Sequence, residues 1–373
     1  MAAPRSGAAA IGALAFAVLV LYASLYPFEG WRWPPGRDLA DMLALPWPRW
    51  RLPFDLWANF LGYLPLGALV CLALPRRAPW RAIALGALLP TMLSYGAEVA
   101  QHFLPGRHPS LLDLALNSGG AAVGALTGQA VRALGWVDRW RGWMAQWFER
   151  QSVAALALLA AWPLGLLFPA PVALGLGQVG PRLRPWLAEL LADVPWAEPW
   201  QAALAAKALP MAPPTALTEA AVTMLGLLAP CLVAFSVVAP GWRRAALTGG
   251  ALTLAVGVVT LSTALNFAPQ HALSWWTPVT APALAAGTLL ALALAPLPRS
   301  LMPGLGLIGL TALVALVAQV PTDPYHAQSL SAWEQGRFIH LHGAAQWIGW
   351  LWPYVAMAWL LARLATRGAR AGV

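Results

Sequence analysis

The chain has 373 residues, is 60% hydrophobic and only 10% charged, and has a mean hydropathy of +0.63. Soluble domains run nearer ~45–50% apolar and ~25% charged, so a water-soluble globular protein is excluded and a polytopic, all-α membrane protein is the class that fits. The net charge of +9 comes from 22 arginines and one lysine, Lys207, against 14 acids, and the basic residues lie mostly between apolar runs, where they read as topology signals rather than as a nucleic-acid footprint.

A membrane helix needs about 20 mainly apolar residues, and ten runs qualify. The first, Ser6–Leu25, follows a single basic residue, Arg5. It exceeds the roughly 7–15 residues of a signal-peptide core and is expected to stay as a span. Leu56–Leu74, Arg81–Phe103 and Leu111–Leu134 follow. Next comes Arg132–Arg150, in which Trp136, Trp140, Trp143 and Trp147 fall on one helical face flanked by Arg132, Arg139 and Arg141. Tryptophan prefers the headgroup level and arginine prefers anionic lipid, so this segment reads as an interfacial helix; a plain basic loop is the alternative. It divides the chain into a four-helix domain (1–135), a cytoplasmic amphipathic linker helix (136–150) and a six-helix domain (151–373). The six later spans are Ser152–Phe168, Leu217–Ala239, Ala245–Leu265, Pro278–Ala295, Pro303–Val320 and Ala344–Ala362.

Placing the N-terminus in the cytoplasm puts 14 basic and two acidic residues on the cytoplasmic side, and nine basic and 12 acidic residues on the other. The positive-inside rule therefore predicts both termini in the cytoplasm. Three long connections then face outward: Tyr26–Asp55, rich in Pro and Trp; Pro169–Pro214, where Trp186–Pro210 is broken by Pro195 and Pro199; and Pro321–Gly343, with Asp323, His326, Glu334, Arg337, His340 and His342. Asn266, Gln270, His271, Trp275 and Trp276 read as an aromatic belt with polar partners.

Against this apolar background, polar side chains gather between residues 94 and 124. A charge inside a bilayer costs roughly 2.5–3.5 kcal/mol on insertion scales, so such residues are functional candidates. Ser94, Glu98 and Gln101 share one face of span three. Leu104-Pro105-Gly106 ends that helix. Ser110-x-x-Asp113 has the form of a capping box at the start of span four. Asp113, Asn117, Gly120 and Gly124 share a face, and Gly120-x-x-x-Gly124-x-x-x-Gly128 permits close helix approach. A short hairpin would bring Glu98 and Gln101 near Asp113 and Asn117, with Arg107 at its tip, and Asp55 and Asn59 join from span two. The expected binding site is thus Asp55, Asn59, Ser94, Glu98, Gln101, Arg107, Asp113 and Asn117, in the outer leaflet. The plain structural alternative is that Asp113 caps its helix and pairs with Arg107, while Asn59, Gln101 and Asn117 bond between helices.

This stretch resembles the VanZ-like family of bacterial membrane proteins. The resemblance rests on Ser24-Leu25-Tyr26-Pro27, Asp55…Asn59…Pro65-Leu66-Gly67, Ser94…Glu98…Gln101 and Arg107…Asp113-Leu114…Asn117…Gly120…Gly124, and covers roughly residues 15–130. The family takes its name from an accessory protein of glycopeptide-antibiotic resistance. The resemblance implies a cell-envelope setting in a bacterial cytoplasmic (inner) membrane more than it implies a reaction.

His102 with His108, and His340-x-His342 with His326, are weak as metal sites, and Cys71 and Cys231 lack metal-ligand spacing or a disulfide context. There is no phosphate loop, HExxH or nucleophile elbow. No metal and no cofactor is expected. Three functions remain open: a non-catalytic or transport-like protein binding a lipid headgroup or lipid-linked envelope precursor; a membrane-embedded hydrolase or transferase acting on a lipid-linked substrate; and an assembly subunit with membrane-protein partners. Non-enzymatic binding is preferred, since no nucleophile or phosphate site accompanies the carboxylates.

Overall fold

The computed structural model describes residues 7–26, 28–48, 53–149, 152–205, 214–267, 269–320 and 339–371. Among these residues the chain is all-helical, with no strand and 75% of it in helix. Among the described residues six helices are long and apolar enough to cross a membrane, which makes this a polytopic membrane protein. The helices fall into two compact units, Met1–Met144 and Ala145–Val373.

The first unit contains α1 (Gly7–Leu25), α2 (Leu39–Leu43), α3 (Pro53–Ala73), α4 (Pro79–Gln101) and α5 (Leu111–Ala133), and the division between the units falls within α6 (Trp136–Trp147), after Met144. Pro79 opens α4 at a position where its missing N–H costs nothing. Gly135, at φ +71°, closes α5 in the left-handed conformation that favours glycine. The centre of this unit is a seam of backbone against backbone between α3 and α5. A methyl group added at Gly120 would collide with the carbonyl oxygen of Phe60, one at Gly124 with that of Leu64, and one at Gly67 with that of Ala121. Small residues let the helices approach this closely, as the glycine spacing predicts. At the far end of the seam Arg132, on α5, is buried and donates to the Cys71 carbonyl in the last turn of α3. Cys71 and Cys231 are both buried and free.

The second unit contains α7 (Val153–Leu166), α8 (Gly180–Leu190), α9 (Glu198–Ala205), α10 (Ala216–Phe235), α11 (Trp242–Phe267), α12 (Thr280–Leu294), α13 (Met302–Val317) and α14 (Ile339–Ala371). It surrounds α10, which packs against α7, α11, α12 and α13. Its core is built from large side chains, among them Leu227, Leu232, Phe235, Leu310, Leu313 and Leu360, each under 2% exposed. Three of its apolar helices, α7, α12 and α13, have 14–16 residues.

One detail differs from the expectation for this half. The stretch after α7 does not run out as a surface connection. Val172, Leu174, Leu176 and Val179 are buried, and Leu174 lies against Gly226 at the middle of α10. Gly177 meets Pro353 of α14. Non-helical backbone at such depth must find partners inside the protein. Here Thr223 donates to the Ala173 carbonyl, the Tyr354 hydroxyl to the Gly177 carbonyl, and the Gly177 N–H to the Gly349 carbonyl. Further on, the segment is divided as its prolines predict: α8 ends at Leu190, and Pro195 and Pro199 stand at the start of a short 3-10 turn and of α9. Of the last outer connection, 321–338 and the side chains of His340 and His342 lie outside the described residues, as do residues 1–6.

Candidate functional site

The polar cluster forms where α4 turns into α5. Gly106, at φ +85°, makes the turn after Pro105. Ser110 is the N-cap of α5, and its hydroxyl accepts from the Asp113 N–H at 3.2 Å. This is the first half of the capping box read from the sequence. In the usual second half, the residue three places on accepts the N-cap's own N–H. Here Glu98, from α4, takes that place: its Oε2 accepts the Ser110 N–H at 2.8 Å. Glu98 is 5% exposed. Its carboxyl sits at the amino end of α5, where exposed N–H groups and the helix dipole favour negative charge. Asp113 and Arg107 are its charged neighbours.

One turn deeper on each helix, the Asn117 side-chain amide donates to the Ser94 hydroxyl at 2.8 Å. Both residues are buried, at 4% and 0% exposure. The Tyr63 hydroxyl, from α3, faces this group, with Ser94 and Glu98 as polar neighbours. The other half of the Asn117 amide, Oδ1, is buried without a hydrogen-bond partner.

Arg107 and Gln101 turn another way, to α1. Arg107 donates from Nε to the Tyr26 carbonyl at 3.0 Å, and from one terminal nitrogen to Tyr26 and Ala23 at 2.6 and 3.1 Å. Gln101 donates to the Ser24 carbonyl at 3.1 Å. A helix leaves its last carbonyls unsatisfied, and a cation is favoured there. Burial draws the Arg107 guanidinium below its usual pKa, while the Glu98 charge works the other way. Arg107 therefore braces the end of α1 rather than standing at the tip of an open pocket.

The eight expected site residues thus separate. Ser94, Glu98, Asp113 and Asn117 come together around Ser110. Gln101 and Arg107 hold α1. Asn59 is half-buried on α3 and stays outside this hydrogen-bonded set. Asp55 lies in the first turn of α3, and its side chain is outside the described residues. Ser110 and Tyr63 belong to the cluster although the sequence reading did not assign them to the site; the polar N-cap position was the available signal for Ser110.

The connection after α1 covers the hairpin. The Arg32 N–H donates to the Phe103 carbonyl at 3.0 Å, the Leu111 N–H to the Pro46 carbonyl at 2.9 Å, and the Tyr95 hydroxyl to the Leu43 carbonyl at 2.8 Å. Arg37 contacts His102 Nδ1 at 3.2 Å. Since guanidinium only donates, the imidazole proton sits on Nε2. Burial, aided by the Arg37 charge, holds His102 below its usual pKa. No group of three or more His, Cys, Asp or Glu suited to a metal ion occurs among the described residues.

Chemically, the cluster offers two carboxyls, three hydroxyls and a half-used amide, enclosed by apolar helices and roofed by a loop. Neither a curated protein nor a solved structure matches this chain. Residues 10–132 match the family model described as VanZ/LLP1. That segment contains the glycine seam, the Glu98–Ser110 contact and the Arg107 brace, and this part of the chain is a VanZ-like domain.

Proposed function

We propose that the VanZ-like domain binds the polar headgroup of a lipid or lipid-linked envelope precursor through Glu98, Ser94, Asn117 and Asp113. The carrying observation is the Asn117 amide, 4% exposed, with one half bonded to Ser94 and the other unpartnered. A buried polar atom without a partner is costly, about 1–3 kcal/mol, and a bound group relieves it. Two carboxyls, Glu98 and Asp113, lie in the cluster beside the single positive charge of Arg107, which also holds the end of α1. That chemistry suits a donor headgroup, an ammonium or hydroxyl, better than a bare phosphate.

The reading includes topology. The six long apolar helices, the three shorter ones and α5 make ten spans, with both termini in the cytoplasm of a bacterial cell and α6 in the headgroup layer. Reporter fusions after Arg77 and Arg370 should report cytoplasm, and one after Gly343 the outside. A C-terminus found outside would overturn the topology.

The binding test is lipid mass spectrometry on the chain purified gently with native lipids. A lipid bearing a free amine or hydroxyl should be enriched, and Glu98→Gln should lose it with little change in melting temperature. Sensitivity to glycopeptides is the cellular phenotype to score beside it. A specific observation favours a second reading, in which the cluster only braces helices: the Glu98–Ser110 contact already closes one part of the network. In that case Glu98→Gln should lower melting temperature and leave the lipid profile unchanged.

A further inference from the structure

At one end of the second unit the ends of α10, α12 and α14 meet the starts of α11 and α13. Four arginines gather there, Arg243, Arg244, Arg299 and Arg363, with one carboxylate, Glu149. Arg244 is fully buried and all five of its N–H groups are occupied: by Val238 twice, Phe235, Ala295 and Leu297, all carbonyls, at 2.7–3.1 Å. Its charge is matched by the carboxyl ends of α10 and α12. Glu149 is held by both Arg299, at 2.8 Å, and Arg363. This leaves more positive charge than negative among Arg243, Arg299 and Arg363.

Arg243 is placed differently from its neighbour in sequence. It donates once, to the Gln146 carbonyl. Its guanidinium lies 5.9 Å from the ring centroids of both Trp147 and Trp242. Those two rings meet edge to face at 5.2 Å, and Trp242 is 68% exposed. Tryptophans at the ends of apolar helices mark the headgroup level of a membrane. An arginine held between two of them, with donors to spare, is set where lipid phosphates lie.

We propose that this rim is a binding seat for an anionic phospholipid headgroup, with Arg243 as its phosphate contact and Trp147 and Trp242 as its walls. The preference for net negative charge follows from Glu149. That carboxylate is already paired twice, so no acid in this group remains for the amine of a zwitterionic headgroup. The seat lies in the second unit and is independent of the polar cluster proposed for the VanZ-like domain.

The test uses the full chain in an uncharged detergent, with phosphatidylglycerol or phosphatidylcholine added in mixed micelles. Phosphatidylglycerol should raise the melting temperature by several degrees more than phosphatidylcholine. Arg243→Gln should lose at least half of that difference. Arg184→Gln, on α8, should keep it. If Arg243→Gln does not fold, Trp242→Ala removes an exposed ring from the same seat and should show the same loss. Native mass spectrometry of the unmutated chain should retain phosphatidylglycerol over phosphatidylcholine. The proposal is overturned if the two lipids act equally, if Arg184→Gln loses as much as Arg243→Gln, if both seat variants keep the full shift, or if inorganic phosphate alone gives the same shift.

Discussion

The two units use opposite means of holding apolar helices together. In the first, α3 and α5 meet through glycines and carbonyls, and only 6% of α1 is buried. In the second, 56% of α10 is buried among large side chains, and Arg244 ties the ends of two helices through their carbonyls. In lipid, where apolar side chains gain little by leaving one apolar phase for another, close packing and hydrogen bonds do most of the joining. The first unit relies on the closeness of approach, which a single methyl group can cancel. The second relies on bulk, which tolerates small changes, and on one cation, which does not.

The sharpest way to break this contrast is Arg244→Met. It strands four carbonyls in a dry site at about 1 kcal/mol or more each, so about 4 kcal/mol or more should be lost in a detergent melt. Arg244→Lys, with three donors, should recover part of it. A neutral Arg244→Met would show that the second unit stands on bulk alone. Next comes Gly124→Ala. Overpacking usually costs about 1–3 kcal/mol, and a collision with backbone belongs at the upper end. Gly119→Ala is the internal control, because a methyl there meets only the Phe60 ring at 3.6 Å. Equal melts for the two would remove the glycine seam from the comparison. Ser110→Ala should cost about 1 kcal/mol through the lost cap of α5.

The smallest effect concerns pH. Burial works to raise the Glu149 pKa, but Arg363 and Arg299 outweigh it and hold the carboxyl below its ordinary value. Its contribution is therefore fully present above the ordinary glutamate pKa and is lost as pH falls through the lower, folded value. Acid melts should show the unmutated chain losing stability in that window, with Glu149→Gln weaker at neutral pH and flatter below it. Parallel acid profiles would sink the account.

Local and periodic features were legible in the sequence. The glycine spacing on α5, the Ser110 cap and the hairpin at Pro105-Gly106 each depend on residues a few places apart. The partners of the charged groups were not legible. Arg107, Arg132 and Arg244 all donate to main-chain carbonyls, and since every residue carries a carbonyl, the acceptor leaves no trace in the letters. Glu98 replaces a capping residue from a different helix, 12 positions away, so a motif of four consecutive positions could not reveal it. The buried stretch after α7 failed for a related reason. Pro169–Pro214 reads as one outward-facing connection, and only the contacts of its first part with Gly226 and Pro353 show that this part lies inside.

The Arg107 contact also sets an order in time. Its acceptors, Ala23 and Tyr26, are made 81–84 residues earlier. At about 5–20 residues per second, synthesis needs roughly 4–16 s to cover that distance. Throughout that interval the carboxyl end of α1 lacks the Arg107 guanidinium that binds it, and the Gln101 amide that bonds Ser24 arrives only shortly before. Helix α1 thus enters the membrane early but is fastened late, by a hairpin whose own closure depends on Glu98. A ribosome halted before Arg107 would hold a first span that is inserted and still unlatched.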